Sequence, residues 1–428
     1  MENKDMANLL EKSGLDSEVS ISTSNGPSRL RERNKKLEHE ILYCKHPKAE
    51  VNSEVRHLRE SMIRDFKVDI FDKAKFPAMS ESFDWKKLRA KLSTKMTEAD
   101  ATSAFVQFLR AGIQSVVQSM YETVPVTYTD WVTVVASGRA EELYAPNHGI
   151  AFPREVAESP SGKYPEVGAA ALDIKLRNRK FGSMYALTME LLDDDQTGSF
   201  ARQAAMLGEY MRYLKEVWCY GKLASVANMT YLDLQIPVSE TKPSYEANYP
   251  FAAAAAPLRG GGYNRPAAFG AATQANIQDG IIALMTQKNL QGIRMSVVPS
   301  RILIGPKMKF DLHILLNSAF YPSGAAATGN VGGAFSVNPL QGIMDCTVSR
   351  FMPKHDGTFN GDSKAWYLVD DSKPWFIMQE REPIAVVQEN PASGRSFDED
   401  IYRFKGRCRF NADYIDPRFV WLGNDGSA

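Results

Sequence analysis

Few residues in this sequence have the types and the spacing that chemistry requires. His39, Cys44, His46 and His57 lie close together in the chain, and histidine and cysteine are side chains that zinc binds. Their spacing matches no standard zinc finger, and they fall in a segment dominated by charged residues. We therefore favour a solvated, charged segment over a metal site at these positions.

Two other patterns have simpler structural explanations. Asp193, Asp194 and Asp195 could hold a divalent cation, but they precede a strongly periodic helical segment, where carboxylates accept free backbone N–H groups and oppose the helix dipole. The sequence GNVGG at residues 329–333 shares only its glycine content with phosphate-binding loops and is more typical of a mobile surface turn. Neither pattern predicts a ligand.

The common catalytic signatures are missing. The sequence contains no P-loop, no Gly-x-Gly-x-x-Gly dinucleotide motif, no His-Glu-x-x-His zinc motif and no Gly-x-Ser-x-Gly nucleophile motif. Its six histidines form no recognisable triad with serine and aspartate. We therefore predict no catalytic residues, no cofactor and no metal, and an enzyme with an unrecognised site is the least favoured alternative.

Composition limits the classes of protein that remain. Lysine plus arginine equals aspartate plus glutamate, at 51 each in 428 residues, so the chain has no overall field that would hold a polyphosphate. The four cysteines are scattered and form no Cys-x-x-Cys pair, which predicts reduced thiols. No window reaches the roughly 18 apolar residues that a membrane helix needs, and the first residues lack the apolar core of a signal peptide. We expect a soluble protein with two or three folded lobes.

The elements that would position functional residues are clearest between residues 172 and 223. Alternating apolar residues predict extended chain on both sides of a basic turn at residues 177–180. The period then changes to steps of three and four, which predicts an amphipathic helix from Ser199 to Leu223, with Gly221 marking its end. The apolar stripe of this helix consists of Phe200, Ala204, Leu207, Met211, Leu214 and Trp218.

The segments on either side differ in character. Of the first 75 residues, 29 are charged (15 basic plus 14 acidic), and narrow apolar stripes there suit helix pairing better than a globular core. Four prolines and two glycines between Tyr144 and Gly168 predict an irregular excursion, which we interpret as a long two-stranded loop because strands flank it. A mixed lobe of helices and strands follows the Ala-, Gly- and Pro-rich residues 243–273. Aromatic-rich extended segments complete the chain, the last from Tyr402 to Leu422.

The order of these parts resembles one family. A charged extension, a two-stranded excursion, an acidic-capped long helix, an α/β lobe with the turn VPSRILI at residues 298–304, and a terminal long strand are together similar to the tailed-phage major capsid proteins of the Hong Kong 97 type. The sequence YRFKGRCRFNADYIDPRF at residues 402–419 also resembles the closing strand of these shell proteins. No single motif is diagnostic, and the order of elements over residues 100–422 carries the resemblance.

The resemblance implies an α+β, Hong Kong 97-like capsid fold with an N-terminal arm, an extended loop, a spine helix, and peripheral and axial domains. The implied divisions are a charged helical N-terminal extension at 1–80, the N-terminal part of the shell domain at 81–142, the extended loop with its flanking strands at 143–192, the spine helix of the peripheral domain at 193–225, the axial domain at 226–345, and the remaining axial and peripheral strands with the C-terminal strand at 346–428. The loop residues implied in assembly are Phe152, Pro153, Arg154, Pro160, Gly162, Lys163 and Pro165.

The implied function is structural. Such a chain self-assembles into hexamers and pentamers of an icosahedral head, becomes part of the virion after assembly in the host cytoplasm, and encloses DNA without sequence-specific binding. Its further partners would be other head proteins, such as a portal, a maturation protease or a decoration protein. No membrane is involved.

The role of the N-terminal extension and the kind of shell both stay open. Residues 1–75 are either a scaffolding extension removed by a maturation protease or a permanent arm. An encapsulin-type compartment shares the fold, although the charged extension disfavours it. Some relatives form a Lys to Asn crosslink between subunits, for which Lys163 and Asn390 are candidates, but no carboxylate partner is fixed and we do not predict this bond.

Overall fold

The computed structural model describes residues 113–145, 174–188, 190, 199–223, 228–237, 250–322, 335–354, 358–359, 362–388, 399 and 401–426. Within these ranges, helices pack on two four-stranded sheets, and further strands form two-stranded sheets. The fold is therefore a mixture of helix and sheet, as the sequence predicts.

The strands and helices are numbered here in chain order. The strands are β1 (Thr133–Ala136), β2 (Glu141–Tyr144), β3 (Ile174–Arg177), β4 (Arg179–Thr188), β5 (Asn228–Tyr231), β6 (Leu234–Pro237), β7 (Arg301–Ile304), β8 (Phe320–Pro322), β9 (Phe335–Val337), β10 (Asp345–Val348), β11 (Trp366–Val369), β12 (Phe376–Gln388), β13 (Ile401–Tyr414) and β14 (Val420–Asn424). The helices are α1 (Ser199–Leu223), α2 (Gln274–Met285) and α3 (Lys309–Asn317), with helical backbone also at residues 113–123.

The first large sheet, which we call the central sheet, has the strand order β1-β12-β13-β4. β1 runs parallel to β12, and the other neighbours are antiparallel. β12 and β13 contain 13 and 14 residues, so they extend well beyond β1. α1 crosses one face of this sheet at Gly406 of β13, where an added Cβ would lie 3.2 Å from Leu207 Cδ2.

The second large sheet has the order β10-β7-β11-β14. Every residue of β7, β11 and β14 is buried, which explains why the sequences RILI, WYLV and VWLGN are almost entirely apolar. α2 packs on β14, and a Cβ at Gly280 of α2 would meet the Trp421 ring at 2.8 Å. Strands from both sides of the implied division between residues 345 and 346 join in this sheet.

One continuous hydrophobic cluster connects the two sheets. It includes Trp131, Trp218, Trp366 and Trp375, each at most 1% exposed. The rings of Trp131 and Trp375 stack with their centroids 5.6 Å apart. The two large sheets therefore share one main core.

One predicted strand and one predicted turn have different bounds in the structure. The expectation of one long terminal strand from Tyr402 to Leu422 is wrong, because the chain breaks after Tyr414 and its two parts, β13 and β14, enter different sheets. The break holds Pro417, which cannot donate a ladder hydrogen bond, and Asp416, whose side chain accepts from the Arg418 N–H at 3.1 Å. The predicted basic turn is likewise limited to Asn178, since Arg179 and Lys180 belong to β4.

α1 has the predicted bounds, Ser199 to Leu223. Gly221 does not end the helix, and its lack of a side chain has a packing reason instead. A Cβ at Gly221 would lie 2.6 Å from Ile236 Cδ1, so the glycine lets β6 approach the helix closely.

Candidate assembly site

The predicted apolar stripe of α1 faces the central sheet. Ala204 and Trp218 are fully buried, Leu207 and Met211 are 9% and 5% exposed, and Leu214 is partly buried against the same core. The side chain of Phe200 lies outside the described residues. The described members of the stripe therefore lie in or against the core.

Two buried ion pairs also join α1 to this sheet. Lys215 Nζ lies 2.7 Å from a carboxylate oxygen of Glu380 on β12, and Lys222 Nζ lies 3.2 Å from one of Asp413 on β13. All four side chains are at most 2% exposed. Burying an unpaired charge costs several kcal/mol, so each lysine requires its own carboxylate, and the two pairs together fix where α1 sits along the strands.

A third polar contact lies between these pairs. Trp218 is three residues after Lys215 and four before Lys222, so all three side chains are on one helix face. The Trp218 indole N–H donates to Asn411 Oδ1 on β13 at 3.0 Å. Asn411 Nδ2 in turn donates to the carbonyl of Arg177 at 2.8 Å, which extends the contact to β3.

The Glu216 side chain contacts Thr127, which precedes β1, and not the strands that pair with Lys215 and Lys222. Its carboxylate accepts hydrogen bonds from the backbone N–H and the hydroxyl of Thr127, and the Thr127 hydroxyl also contacts the Tyr220 hydroxyl at 2.8 Å. Trp131 Nε1 donates to that same Tyr220 hydroxyl at 3.1 Å. Burial raises the pKa of Glu216 above its usual value, although the hydrogen bonds from Thr127 oppose the shift.

The sequence pattern did not identify these polar residues. Lys215, Glu216 and Lys222 are charged, and a charged residue in an amphipathic helix is normally assigned to the solvated face. The available signal was position, since Lys215 and Lys222 continue the steps of four and three from Met211 through Trp218. α1 is buried on all sides from residue 215 to residue 223, so no solvated face exists there.

We call the side of the central sheet that contacts α1 the helix face and the opposite side the hairpin face. The hairpin of β2 and β3 covers part of the latter, where Ile174 packs with Ile377 and Ile415 in a small separate cluster. Gln379 of β12 donates to the Leu176 carbonyl at 2.8 Å and accepts from the Tyr144 hydroxyl at 3.2 Å. Burial, and secondarily Glu142, raises the pKa of Tyr144 to about 12, so this hydroxyl keeps its proton at neutral pH.

The hairpin also fixes the base of the predicted loop. Tyr144, the last residue of β2, pairs with Ile174, the first residue of β3. Residues 145–173 therefore start and finish at neighbouring points on this face.

The remainder of the hairpin face carries a row of basic side chains. Residues 404, 406, 408 and 410 of β13 are buried toward α1, and residues 403, 405, 407 and 409 point the other way. These alternate residues, together with the residue of β4 directly opposite Arg409, make up what we call the basic row: Lys180, Arg403, Lys405, Arg407 and Arg409.

A family model described as phage capsid protein matches residues 173–422, which is 250 of the 428 residues. The match begins directly before β3 and ends within β14, so it includes α1, the basic row and most of the second sheet. The chain belongs to the phage capsid protein family.

Several solved capsid structures are similar to this capsid protein. A structure from Mycobacterium phage Bobi is 15% identical, with 70% of this chain and 90% of that chain covered and a TM-score of 0.39. The capsid of an empty GTA particle is 12% identical, with 69% and 88% covered and a TM-score of 0.42. The procapsid of bacteriophage JBD30 is 17% identical, with 77% and 76% covered and a TM-score of 0.36.

The family assignment rests on the sequence model, because these TM-scores are all below 0.5. Comparison with curated proteins finds no match. The chain is thus a structural protein of a phage capsid, and the prediction of a phage capsid protein from the sequence is confirmed.

Several predicted residues of this capsid protein lie outside the described residues. They are the loop residues Phe152, Pro153, Arg154, Pro160, Gly162, Lys163 and Pro165, the candidate zinc ligands His39, Cys44, His46 and His57, the acidic residues Asp193, Asp194 and Asp195, the glycine-rich residues 329–333, and Asn390. Their expected roles remain predictions.

The described cysteines are free thiols. Cys219 and Cys408 are buried, and Cys346 is exposed. Burial raises the pKa of the Cys408 thiol to about 12, so this thiol stays protonated and weakly nucleophilic at neutral pH.

Metal-binding clusters and membrane-spanning helices are both absent from the described ranges. No group of three or more His, Cys, Asp or Glu side chains there is placed to hold a metal ion. In the same ranges, no helix has the length and apolarity to cross a membrane.

Proposed function

We propose that this chain is the major capsid protein of a tailed phage, the repeated subunit of an icosahedral head with the Hong Kong 97-like fold. Its role is structural rather than enzymatic. The single observation that carries the proposal is the family match over residues 173–422, which includes the 25-residue helix and the long antiparallel strands β12 and β13 that it packs on.

The parts of the fold take the following roles in this proposal. α1 is the spine helix, within residues 193–225, and the central sheet with it forms the peripheral domain. The β2–β3 hairpin is the base of the extended loop at residues 143–192. Residues 226–345, with strands that later residues add to the second sheet, form the axial domain. Residues 1–80 form a scaffold-like extension or arm, and 81–142 lead into the shell.

Copies of the chain would be each other's main partners. The hairpin starts and finishes the loop at one point on the central sheet, so residues between Phe152 and Pro165 can extend onto a neighbouring subunit. Interfaces of obligate assemblies typically bury about 2,000 Å² or more, at roughly 25 cal/mol per Å² of apolar area. Hexamers and pentamers of this kind would form in the host cytoplasm, meet a portal, a maturation protease or a decoration protein, and enclose DNA without reading its sequence.

Electron microscopy of the purified full chain tests the proposal directly. Expressed alone or with its maturation partners, the protein should form closed shells or their hexamer and pentamer pieces, because the interfaces are complete only between copies. Analytical ultracentrifugation should show the same species. A monomer that persists at high concentration, or shells that enclose protein cargo instead of DNA during infection, would contradict it.

The loop can be tested apart from the rest. Deleting residues 152–162 should leave the circular dichroism spectrum unchanged but stop assembly at small species, because the loop is expected to contact neighbours and not its own core. The matched control replaces the same residues with Gly and Ser, which keeps the length and removes the side chains. If the control assembles and the deletion does not, loop length is what matters; normal shells from both would exclude the loop from assembly.

The N-terminal extension makes a separate, simple test possible. If residues 1–75 act as scaffolding, mass spectrometry of the shell protein from mature particles should show a shortened chain. Intact protein that starts at Met1 would support the permanent arm.

A further inference from the structure

The connection between β5 and β6 combines a strained backbone with an exposed apolar side chain. Tyr231 pairs with Leu234, so Leu232 and Asp233, which we call the tip, form the whole connection. Leu232 has a φ of +52°, and no other non-glycine residue in the described part of the chain has a positive φ. Connections of this length normally carry Gly or Asn at their first residue, because a larger side chain disfavours the left-handed region. The Leu232 side chain is also 83% exposed. Leucine therefore has two costs here that asparagine would avoid.

The rest of the β5–β6 hairpin holds the tip in a fixed place. Ile236 is fully buried and packs against Gly221 of α1, where an added Cβ would lie 2.6 Å from Ile236 Cδ1. The Tyr231 ring lies 5.7 Å from the ring of Phe351 and 5.4 Å from that of Phe359, measured between centroids. A side chain that projects from such a base loses little conformational freedom when it binds. The tip is therefore preorganised for a partner.

α3 carries an apolar surface that matches the tip. Phe310 and Ile314 are four residues apart, so they share one helix face, which we call the α3 face. Their side chains are 75% and 65% exposed, and after Leu232 they are the most exposed large apolar side chains of the described residues. The tip and the α3 face both stay exposed in one chain, so neither covers the other there. Contact between them requires two copies.

Charged side chains on either side of the α3 face can orient the tip. Lys309 and Asp311 flank Phe310 in the chain, and at about 100° per residue they lie on opposite sides of the exposed face. Asp233 is exposed next to Leu232, and it is attracted to the Lys309 side and repelled from the Asp311 side. Charge complementarity therefore selects one orientation of the tip on this helix.

α2 is the alternative acceptor, and it suits the tip less well. Ile282 and Met285 of this helix are 60% and 55% exposed, so α2 also presents apolar side chains. Its sequence, QANIQDGIIALM, contains one charged residue, Asp279, which would repel Asp233. Because α2 offers no cation to the tip, the charges favour α3 as the acceptor.

We propose that the tip of one copy of this chain binds the α3 face of a neighbouring copy. This inference rests on the proposed function, which supplies the neighbouring copies. Leu232 packs between Phe310 and Ile314 of the neighbour, and Asp233 lies beside the neighbour's Lys309. The tip and the α3 face are different surfaces of one chain, so the contact is head-to-tail. Repeated contacts of this kind close into rings when the rotation between copies allows it.

Replacing the leucine should have opposite effects on folding and on assembly. Leu232→Asn in the full chain relieves the backbone, so its melting temperature should equal or exceed that of the wild type. Circular dichroism measures this below the concentration at which the wild type assembles. The variant should nevertheless need about tenfold or more protein to form particles, because the contact recurs at every copy. Normal particle formation, whether or not the melting temperature falls, would overturn the inference.

Variants of the two helices identify the acceptor. Ile314→Gln should raise the concentration needed for particles by a similar factor. The double variant Leu232→Asn with Ile314→Gln should need no more protein than the weaker of the two single variants, since both remove the same contact. Ile282→Gln makes the matched change on α2 and should assemble as the wild type does. If Ile282→Gln fails equally, the effect is one of surface apolarity in general and the inference is overturned.

A disulfide between copies tests the contact directly. The background is Cys44→Ser with Cys346→Ser. In this background, oxidised particles with Leu232→Cys and Ile314→Cys should give a ladder of chains linked in series, longer than dimers, in electrophoresis without reductant. The control pair Leu232→Cys and Ile282→Cys should give single chains. Single chains from the first pair, or a ladder from the control pair instead, would overturn the inference and leave the proposed function intact. If the wild type itself forms no particles, the proposed function and this inference fall together.

Discussion

The two faces of the central sheet use polar residues in opposite ways. On the helix face, Lys215 and Lys222 are buried and each is paired with a carboxylate of the sheet. On the hairpin face, the basic row is partly exposed, and Arg407 and Arg409 lie 3.8 and 3.2 Å from the carboxylate of Glu382. The first arrangement is enclosed within the fold, whereas the second lies at the surface of the described residues.

The hairpin face is itself divided. Where the β2–β3 hairpin covers this face, the side-chain amides of Gln379 and Asn411 donate hydrogen bonds to backbone carbonyls of β3. Where no described residue covers it, Met184 and Lys405 remain exposed. Changes on the helix face should therefore affect folding, and changes on the exposed part of the hairpin face should leave folding intact.

The largest effect should come from a charge on the buried stripe. Leu207→Asp places a carboxylate against Gly406 of β13 without a partner, at a cost of several kcal/mol, and should abolish soluble folding. Expression followed by thermal unfolding in circular dichroism checks this.

Tyr210→Asp is the matched control on the same helix, because Tyr210 is 61% exposed. The control should remain soluble, with a change within about 0.5 kcal/mol. Wild-type melting of Leu207→Asp would show that the stripe is not part of the core.

The next largest effect should follow from breaking a buried ion pair. Lys222→Met leaves Asp413 charged and buried, which should cost about 3–5 kcal/mol of unfolding free energy, measured by urea denaturation. The double variant Lys222→Met with Asp413→Leu should recover most of this loss, because no charge is left unpaired. A double variant as unstable as the single one would mean that the pair itself, and not the unpaired charge, determines stability.

A smaller effect is expected where the hairpin joins the sheet. Gln379→Leu removes the hydrogen bonds to the Leu176 carbonyl and the Tyr144 hydroxyl, which should cost about 1–3 kcal/mol. Hydrogen exchange of β2 and β3 should become faster than that of β12. Val387→Ala, on the same strand and the same face but 38% exposed, should change neither quantity appreciably. Equal effects from both variants would remove the distinction between the two parts of this face.

The sequence predicts features that depend on neighbouring residues better than features that depend on residues far apart in the chain. The bounds of α1 are predicted correctly because its period is local. The break after Tyr414 was missed, since β13 and β14 are both extended and differ only in the sheet that they join. The partners of Lys215 and Lys222 are 165 and 191 residues away in sequence, so no local pattern could identify them.

The smallest predicted effect is a pH dependence at Glu216, on the side of α1 that faces Thr127. Burial raises the pKa of this carboxyl in the folded state above its unfolded value of about 4.3. Both states are protonated below that value. As the pH rises above that value, the unfolded chain releases its proton first. The stability that this group contributes therefore decreases until the pH has passed the folded pKa.

The Glu216→Gln variant has no such proton. The unfolding free energy of the wild type minus that of the variant should therefore fall as the pH is raised from about 4 and then become constant. Urea denaturation of both proteins at a series of pH values measures this difference, in which all other titrating groups cancel to first order. A difference that is independent of pH, or that increases with pH, would show that the hydrogen bonds from Thr127 outweigh burial and hold the pKa at or below its unfolded value.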